Sequence, residues 1–292
     1  MTIFSDFEQM TIDTDEARIK LVKAGHGAGL LLLHGYPQTH VIWHKIAPRL
    51  AENFTVVATD LRGYGDSSTP SSTPDHINYS KRVMAQDQIQ VMSKLGYEEF
   101  YVVGHDRGAR VSHRMALDYS HKIKKLALLD IVPTFKMYAT TDQEFATAYY
   151  HWFFLIQPND LPETLIKANP EYYLRRCLQQ WGKDFSAFTP EALAEYIRCF
   201  TNPAVIHATC EDYRASATID LEHDKFDMEQ KIHCPVLALW GEKGIIGRKY
   251  DVLKTWQERA SDVRGFALPC GHFLPEEAPE ETYQAIYKFL ID

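Results

Sequence analysis

The sequence predicts a doubly wound, mostly parallel α/β sheet carrying a helical lid inserted after the sixth strand. Three observations carry this. Short, nearly pure apolar runs recur along the chain, as strands covered on both faces require; helix-period stretches separate them; and one long segment keeps the helical period while dropping the strands. Taken in order, residues 7–25 alternate polar and apolar around an acidic turn at 13–16 and read as an antiparallel hairpin opening the sheet. Runs 30–33, 55–58, 101–103, 126–129, 236–240 and 263–268 follow as fully buried strands. Stretches 43–50, 79–95, 109–119, 250–259 and 280–290 place apolar residues at helical spacing. Residues 133–224 are helical in pattern and rich in aromatic side chains, Tyr149, Tyr150, Trp152, Phe153 and Trp181 among them. The expected division is a core of 1–132 and 225–292 with a lid of 133–224 over the strand ends, where open α/β sheets bind ligands.

Composition narrows the function. A chain of 292 residues with 45% hydrophobic and 24% charged side chains is an ordinary globular protein rather than a disordered or fibrous one. No apolar run approaches the roughly 20 residues of a membrane span. The first ten residues carry Asp6 and Glu8 and no leader pattern, so a cytoplasmic protein with no membrane partner is expected. Cys177, Cys199, Cys210, Cys234 and Cys270 are odd in number and form no CxxC pair, which fits reduced thiols and suggests neither disulfides nor a zinc site. A formal charge of −8 argues against nucleic acid as a partner, because such binding neutralises phosphates with Lys and Arg.

The chemistry concentrates in a few short segments. Gly104-His105-Asp106-Arg107-Gly108 has the spacing of a nucleophile elbow, directly after an apolar strand and before a helix. Its middle residue is Asp106, not serine. A serine attacking an sp3 carbon would be spent as an ether, whereas an aspartyl ester can be hydrolysed at the former carboxylate carbon. Hydrolysis needs a base, and His272 in Cys270-Gly271-His272-Phe273, after the last strand, fits that place. Its acid partner is Asp130 at the end of the 126–129 run, with Glu242 as the other candidate. His34-Gly35-Tyr36-Pro37 follows the first parallel strand, so the Tyr36 and Arg107 backbone N–H groups are candidate oxyanion donors. Arg107 and Arg110, three apart on one helix, can converge on an anion; the bland alternative is that Arg110 pairs with Asp106 itself.

With HGYPQ, DLRGYGDS, GHDRGAR, LLDIVPT, the His151-Trp152 pair and CGHFLPEE, the whole chain resembles α/β-hydrolase-fold enzymes with an aspartate nucleophile. Among these it resembles the haloacetate (fluoroacetate) dehalogenases. The resemblance implies Asp106 as nucleophile, Asp130 and His272 as acid and base, and Arg107 and Arg110 as ligands of the substrate carboxylate. It further implies His151, Trp152 and Tyr213 as halide ligands, with lid packing as the bland alternative for each. It implies no metal and no organic cofactor, a small 2-haloacid as substrate, and is compatible with a homodimer. The expected reaction converts haloacetate to glycolate and halide. An epoxide hydrolase sharing the aspartate elbow is the nearest rival, and a non-catalytic small-acid binding protein a more distant one.

Overall fold

The computed structural model describes residues 3–292. Its strands are β1 (Glu8–Asp13), β2 (Arg18–Ala24), β3 (Gly29–Leu33), β4 (Thr55–Thr59), β5 (Phe100–His105), β6 (Ile123–Leu129), β7 (Val236–Gly241) and β8 (Val263–Leu268). They form one sheet in the order β1-β2-β4-β3-β5-β6-β7-β8. The opening hairpin pairs Glu8 with Lys23 through Asp13 with Arg18, and β2 lies antiparallel to β4. From β4 to β8 every pairing is parallel.

The register places the site. Leu33 pairs with Gly104, His105 with Leu129, and Leu129 with Leu239, so β3, β5, β6 and β7 end at one level. Tyr36, Asp106 and Asp130, which follow the first three, and Gly241, the last residue of β7, therefore share one edge of the sheet. β3 is flanked by β4 on one side and β5 on the other. Loops leaving β3 and β5 diverge there, which opens the crevice that doubly wound sheets use for ligands.

Three expectations are corrected. β8 is not fully buried: Phe266 is half exposed, because this strand is the sheet edge with one neighbour only. The helix expected at 43–50 divides into a 3-10 turn, His40–Trp43, and a single α-turn, Ala47–Leu50. Pro48 has no N–H to carry a helical hydrogen bond back across the join. The 250–259 stretch shortens to Val252–Gln257, capped by the Asp251 carboxylate on the Lys254 N–H.

Between β6 and β7 the chain is helical, from Thr134–Ala139 through Ile219–Phe226. Leu161–Ala168, Pro170–Trp181, Pro190–Phe200 and Pro203–Ala217 each carry proline in the first turn, and Asn169, Thr189 and Asn202 cap the last three with side-chain oxygens. Proline is tolerated there because the first turn's N–H groups have no intrahelical acceptor. Among the described residues no helix is long and apolar enough to cross a membrane.

Candidate active site

Asp106 stands on a strained turn between β5 and the helix Arg107–Asp118, with φ at +47°. A non-glycine residue in such a conformation costs about 1–3 kcal/mol, and close packing enforces it here. A Cβ on Gly104 would lie 2.5 Å from Ser112 Oγ, and one on Gly108 would lie 2.4 Å from the His34 carbonyl oxygen. Its carboxylate caps no helix N–H. Oδ1 instead accepts the Tyr36 N–H at 2.9 Å. Gly35 makes that approach possible, since a Cβ there would fall 2.4 Å from the Asp106 Cβ. The loop is held from behind by His34, whose Nε2 accepts the Leu61 N–H at 3.0 Å and whose carbonyl accepts the Gly108 N–H at 2.8 Å.

His272 and Asp130 complete a buried chain of three. The His272 Nδ1 donates to Asp130 Oδ2 at 2.5 Å, and its Nε2 lies 3.8 Å from Asp106 Oδ2. Asp130 Oδ1 accepts the Gly241 N–H at 2.9 Å, so the carboxylate is committed on both oxygens and does not cap the turn toward Pro133. Glu242, the other candidate acid, is solvent-exposed and out of this chain. Burial alone would raise the Asp106 pKa, but the charges of His272, Arg110 and Arg107 outweigh it and pull the group down to about 2. Burial works against a His272 cation as well. There the hydrogen bond and charge of Asp130, with the charge of Asp106, win and raise its pKa above 6.5.

The two arginines are brought together beside this chain. Arg107 is fully buried; its Nε donates to Asp212 Oδ2 at 2.8 Å and its Nη2 to Asp212 Oδ1 at 2.7 Å and Ser216 Oγ at 2.5 Å. Arg110 forms no ion pair with Asp106 or with any other described carboxylate. Its Nη1 donates to the Val132 carbonyl at 3.1 Å and Thr134 Oγ1 at 3.0 Å, and its Nη2 contacts Met137 Sδ at 3.1 Å. Each guanidinium thus keeps one buried nitrogen without a protein partner, Nη1 of Arg107 and Nε of Arg110. Arg107 lies 4.1 Å over the Tyr213 ring and Arg110 4.7 Å over the Trp152 ring.

Those two rings continue into an aromatic wall. Tyr213 stands edge-on to Tyr36 at 5.3 Å, to His151 at 5.5 Å and to Trp152 at 6.2 Å, measured between ring centroids. His151 is buried, and desolvation holds its pKa well below 6.5, so it is neutral. Neither the Tyr213 hydroxyl nor the Trp152 indole N–H has a protein hydrogen-bond partner among the described residues. Four contributors escaped sequence reasoning in these roles. Tyr149 places its hydroxyl 3.4 Å from His272 Nδ1, and Trp181 packs 4.2 Å from the His151 ring. Asp212 grips Arg107, and Glu277 accepts the Gly271 and Phe273 N–H groups on either side of His272 at 3.0 and 2.9 Å. Glu277 ends the CGHFLPEE segment and Asp212 directly precedes Tyr213, but only tertiary contact shows what they hold.

Among the described residues, two clusters elsewhere have metal-ligand composition: Glu163, His207 and Glu211, and Asp66, Glu195 and Cys199. Arg214 bridges both carboxylates of the first and Arg198 both of the second, so each carboxylate already has a cationic partner.

Comparison with known proteins agrees with this architecture. Residues 30–279 match the family described as alpha/beta hydrolase fold. The chain is 44% identical to the fluoroacetate dehalogenase of Burkholderia sp over 291 residues, covering 99% of this chain and 96% of that relative. It is 37% identical to the soluble epoxide hydrolase of Corynebacterium sp. (strain C12) over 276 residues, 93% of each. A crystal structure of an alpha/beta hydrolase from Nostoc sp PCC 7120 superposes with a TM-score of 0.98 at 82% identity, covering 98% of this chain and 99% of that one. The chain belongs to the α/β-hydrolase-fold family. It is a hydrolytic enzyme, related within that family to a dehalogenase and to an epoxide hydrolase.

Proposed function

We propose that the enzyme hydrolyses 2-haloacetates, fluoroacetate included, to glycolate and halide through an ester on Asp106. The observation that carries this reading is the pair of buried arginines, each with one unpartnered N–H nitrogen beside an ionised carboxylate. Burying a cation without a counter-ion is costly, so such a site is built for an anionic ligand. Arg107 Nη1 and Arg110 Nε supply a two-point contact for one substrate carboxylate; Arg107 is already balanced by Asp212, whereas Arg110 has no carboxylate partner among the described residues, and a neutral epoxide would leave that cation unmatched.

The steps follow from the geometry. Asp106 Oδ1 is engaged by the Tyr36 N–H, which leaves Oδ2 to attack the halogen-bearing carbon. The carbon–halogen electron pair departs with the halide, stabilised by N–H and O–H donors from His151, Trp152 and Tyr213. His272 Nε2 then takes a proton from water, and the hydroxide adds to the Asp106 carboxyl carbon. The resulting oxyanion is met by the Tyr36 and Arg107 backbone N–H groups, and its collapse breaks the ester C–O bond, with the His272 imidazolium returning its proton to the departing alkoxide oxygen, so that glycolate leaves and the Asp106 carboxylate and neutral His272 are restored. Asp130 orients the His272 ring and balances the imidazolium.

An epoxide hydrolase remains the second reading, favoured by the Tyr149 and Tyr213 hydroxyls near the elbow, which could protonate an opening ring. The deciding experiment measures halide released from fluoro-, chloro- and bromoacetate beside diol formed from a small epoxide. Mass spectrometry of His272→Asn after bromoacetate should show a carboxymethyl ester on Asp106. Diol without halide would replace the dehalogenase reading, and halide release with an adduct elsewhere would remove the mechanism.

A further inference from the structure

We propose that a small vestibule on the seam between lid and core is the entry port for the substrate anion. In it Lys183 and Arg248 draw the carboxylate in, and Tyr149 with Trp181 forms the inner gate. This rests on the haloacetate reading and extends it to residues outside the reacting centre.

The vestibule is a cavity of about 60 Å³ with His272, Tyr149 and Trp181 on its floor and Gln180, Lys183 and Arg248 among its lining. The floor residues are buried, whereas Lys183 and Arg248 are exposed, so it leads from solvent toward the triad. Its two sides come from different parts of the chain: the lid supplies the segments around Tyr149 and Lys183, and the helix Ile245–Lys249 after β7 supplies the other. Gln180 Nε2 donates to the Ala148 carbonyl at 3.2 Å and ties the lid side together. Beyond the floor, the Trp181 ring abuts His151 and the Tyr149 hydroxyl sits by His272, so these are the two rings that, as proposed, turn aside to admit the anion.

Charge points to the kind of traffic. No Asp or Glu lines the cavity. Lys249, next in sequence, is neutralised by Asp142, and the nearby Glu277 is occupied by the backbone N–H groups of Lys183, Gly271 and Phe273. Lys183 and Arg248 have no carboxylate partner among the described residues. On a chain of net charge −8 these are two cations without carboxylate partners at the mouth of a passage to the site. A localised positive field of this kind speeds the arrival of small anions and fades with salt.

The test uses Asp106→Asn protein, which cannot form the ester, with chloroacetate. Calorimetry gives Kd, and stopped-flow fluorescence of Trp152 and Trp181 gives kon and koff. Adding Lys183→Gln and Arg248→Gln should lower kon by about tenfold at ionic strength near 10 mM. The difference should close at about 1 M salt, where the screening length falls to about 3 Å. Because the mouth is passed and not occupied, koff should fall with kon and Kd should hardly move. Lys225→Gln with Lys288→Gln, an equal charge change elsewhere on the surface, should leave kon in place. An unchanged kon and salt slope in the mouth variant would overturn the proposal. So would a weaker Kd arising from a faster koff, which would put the two cations at the bound carboxylate. If chloroacetate did not bind at all, the haloacetate reading itself would fail.

Discussion

Asp212 reaches from the lid helix Pro203–Ala217 to grip Arg107 on two nitrogens, and its Oδ2 also accepts the Tyr64 hydroxyl at 2.7 Å. Lys81 pairs with its other oxygen. One lid carboxylate therefore fixes the orientation of Arg107 and ties the helix bearing Tyr213 to the elbow. Burial would raise the Asp212 pKa, but Arg107 and Lys81 prevail and hold it far below the ordinary carboxylate range.

Removing that charge while keeping the shape tests this anchor. Asp212→Asn should cost about 3 kcal/mol of stability at neutral pH, since breaking a buried ion pair strands its partners. KM for haloacetate should rise more than kcat falls. A carboxylate whose folded pKa is depressed contributes stability above its unfolded pKa, near 3.9, and loses it as pH falls toward the folded value. The gap between wild type and variant in urea denaturation should thus narrow below about pH 4. A gap unchanged down to pH 2.5 would contradict the assignment.

The pH dependence of turnover should separate the two chemical steps. With Asp106 ionised down to about pH 2, displacement proceeds in mildly acidic solution, whereas the base for hydrolysis must be neutral. For bromoacetate, kcat should rise with pH as His272 loses its proton, while kcat/KM, which reports displacement, should lack that limb. Asp130→Asn removes the main groups that raise the His272 pKa, so the limb should move to lower pH as the hydrolysis step slows by about 10³-fold or more. Parallel limbs in kcat and kcat/KM would show that His272 acts in the first step too.

The lid donors should matter most for the hardest leaving group. Fluoride concentrates the developing charge, so a hydrogen bond aimed at it is worth more in the transition state than one aimed at bromide. Trp152→Phe and Tyr213→Phe each remove one donor and keep the ring, and each should lower kcat/KM for fluoroacetate by about tenfold more than for bromoacetate. Equal losses for both halides would return these residues to packing roles.

Gly35 tests the elbow's geometry directly. In Gly35→Ala the new Cβ would lie 2.7 Å from Asp106 Oδ1, so the carboxylate must leave the Tyr36 N–H. Rapid-quench measurement should show ester formation slowed by about 10²-fold, the scale of a 1 Å misplacement. The accompanying loss of stability should be about 1–3 kcal/mol. A rate near that of wild type would mean that the Tyr36 contact does not position the nucleophile.

By itself the sequence determined the strand and helix order, the elbow around Asp106, and the positions of His272 and the arginine pair. These are local signals: uninterrupted apolar runs, glycines where a Cβ would clash, and side chains at loop positions just past strand ends. It did not settle Asp130 against Glu242, because both follow strands ending at the same level, and only the observed 2.5 Å bond to His272 tells them apart. The edge position of β8 was likewise hidden, since Val263–Leu268 reads the same whether it has one neighbour or two. The tertiary structure alone decided that Arg107 spends Nε and Nη2 on Asp212 while Arg110 has no carboxylate partner among the described residues. It alone put Tyr149 and Trp181 against His272 and His151. Such pairings join residues tens to more than a hundred positions apart. Composition and periodicity report what a segment buries, whereas which buried groups meet depends on how the sheet register and the lid helices pack.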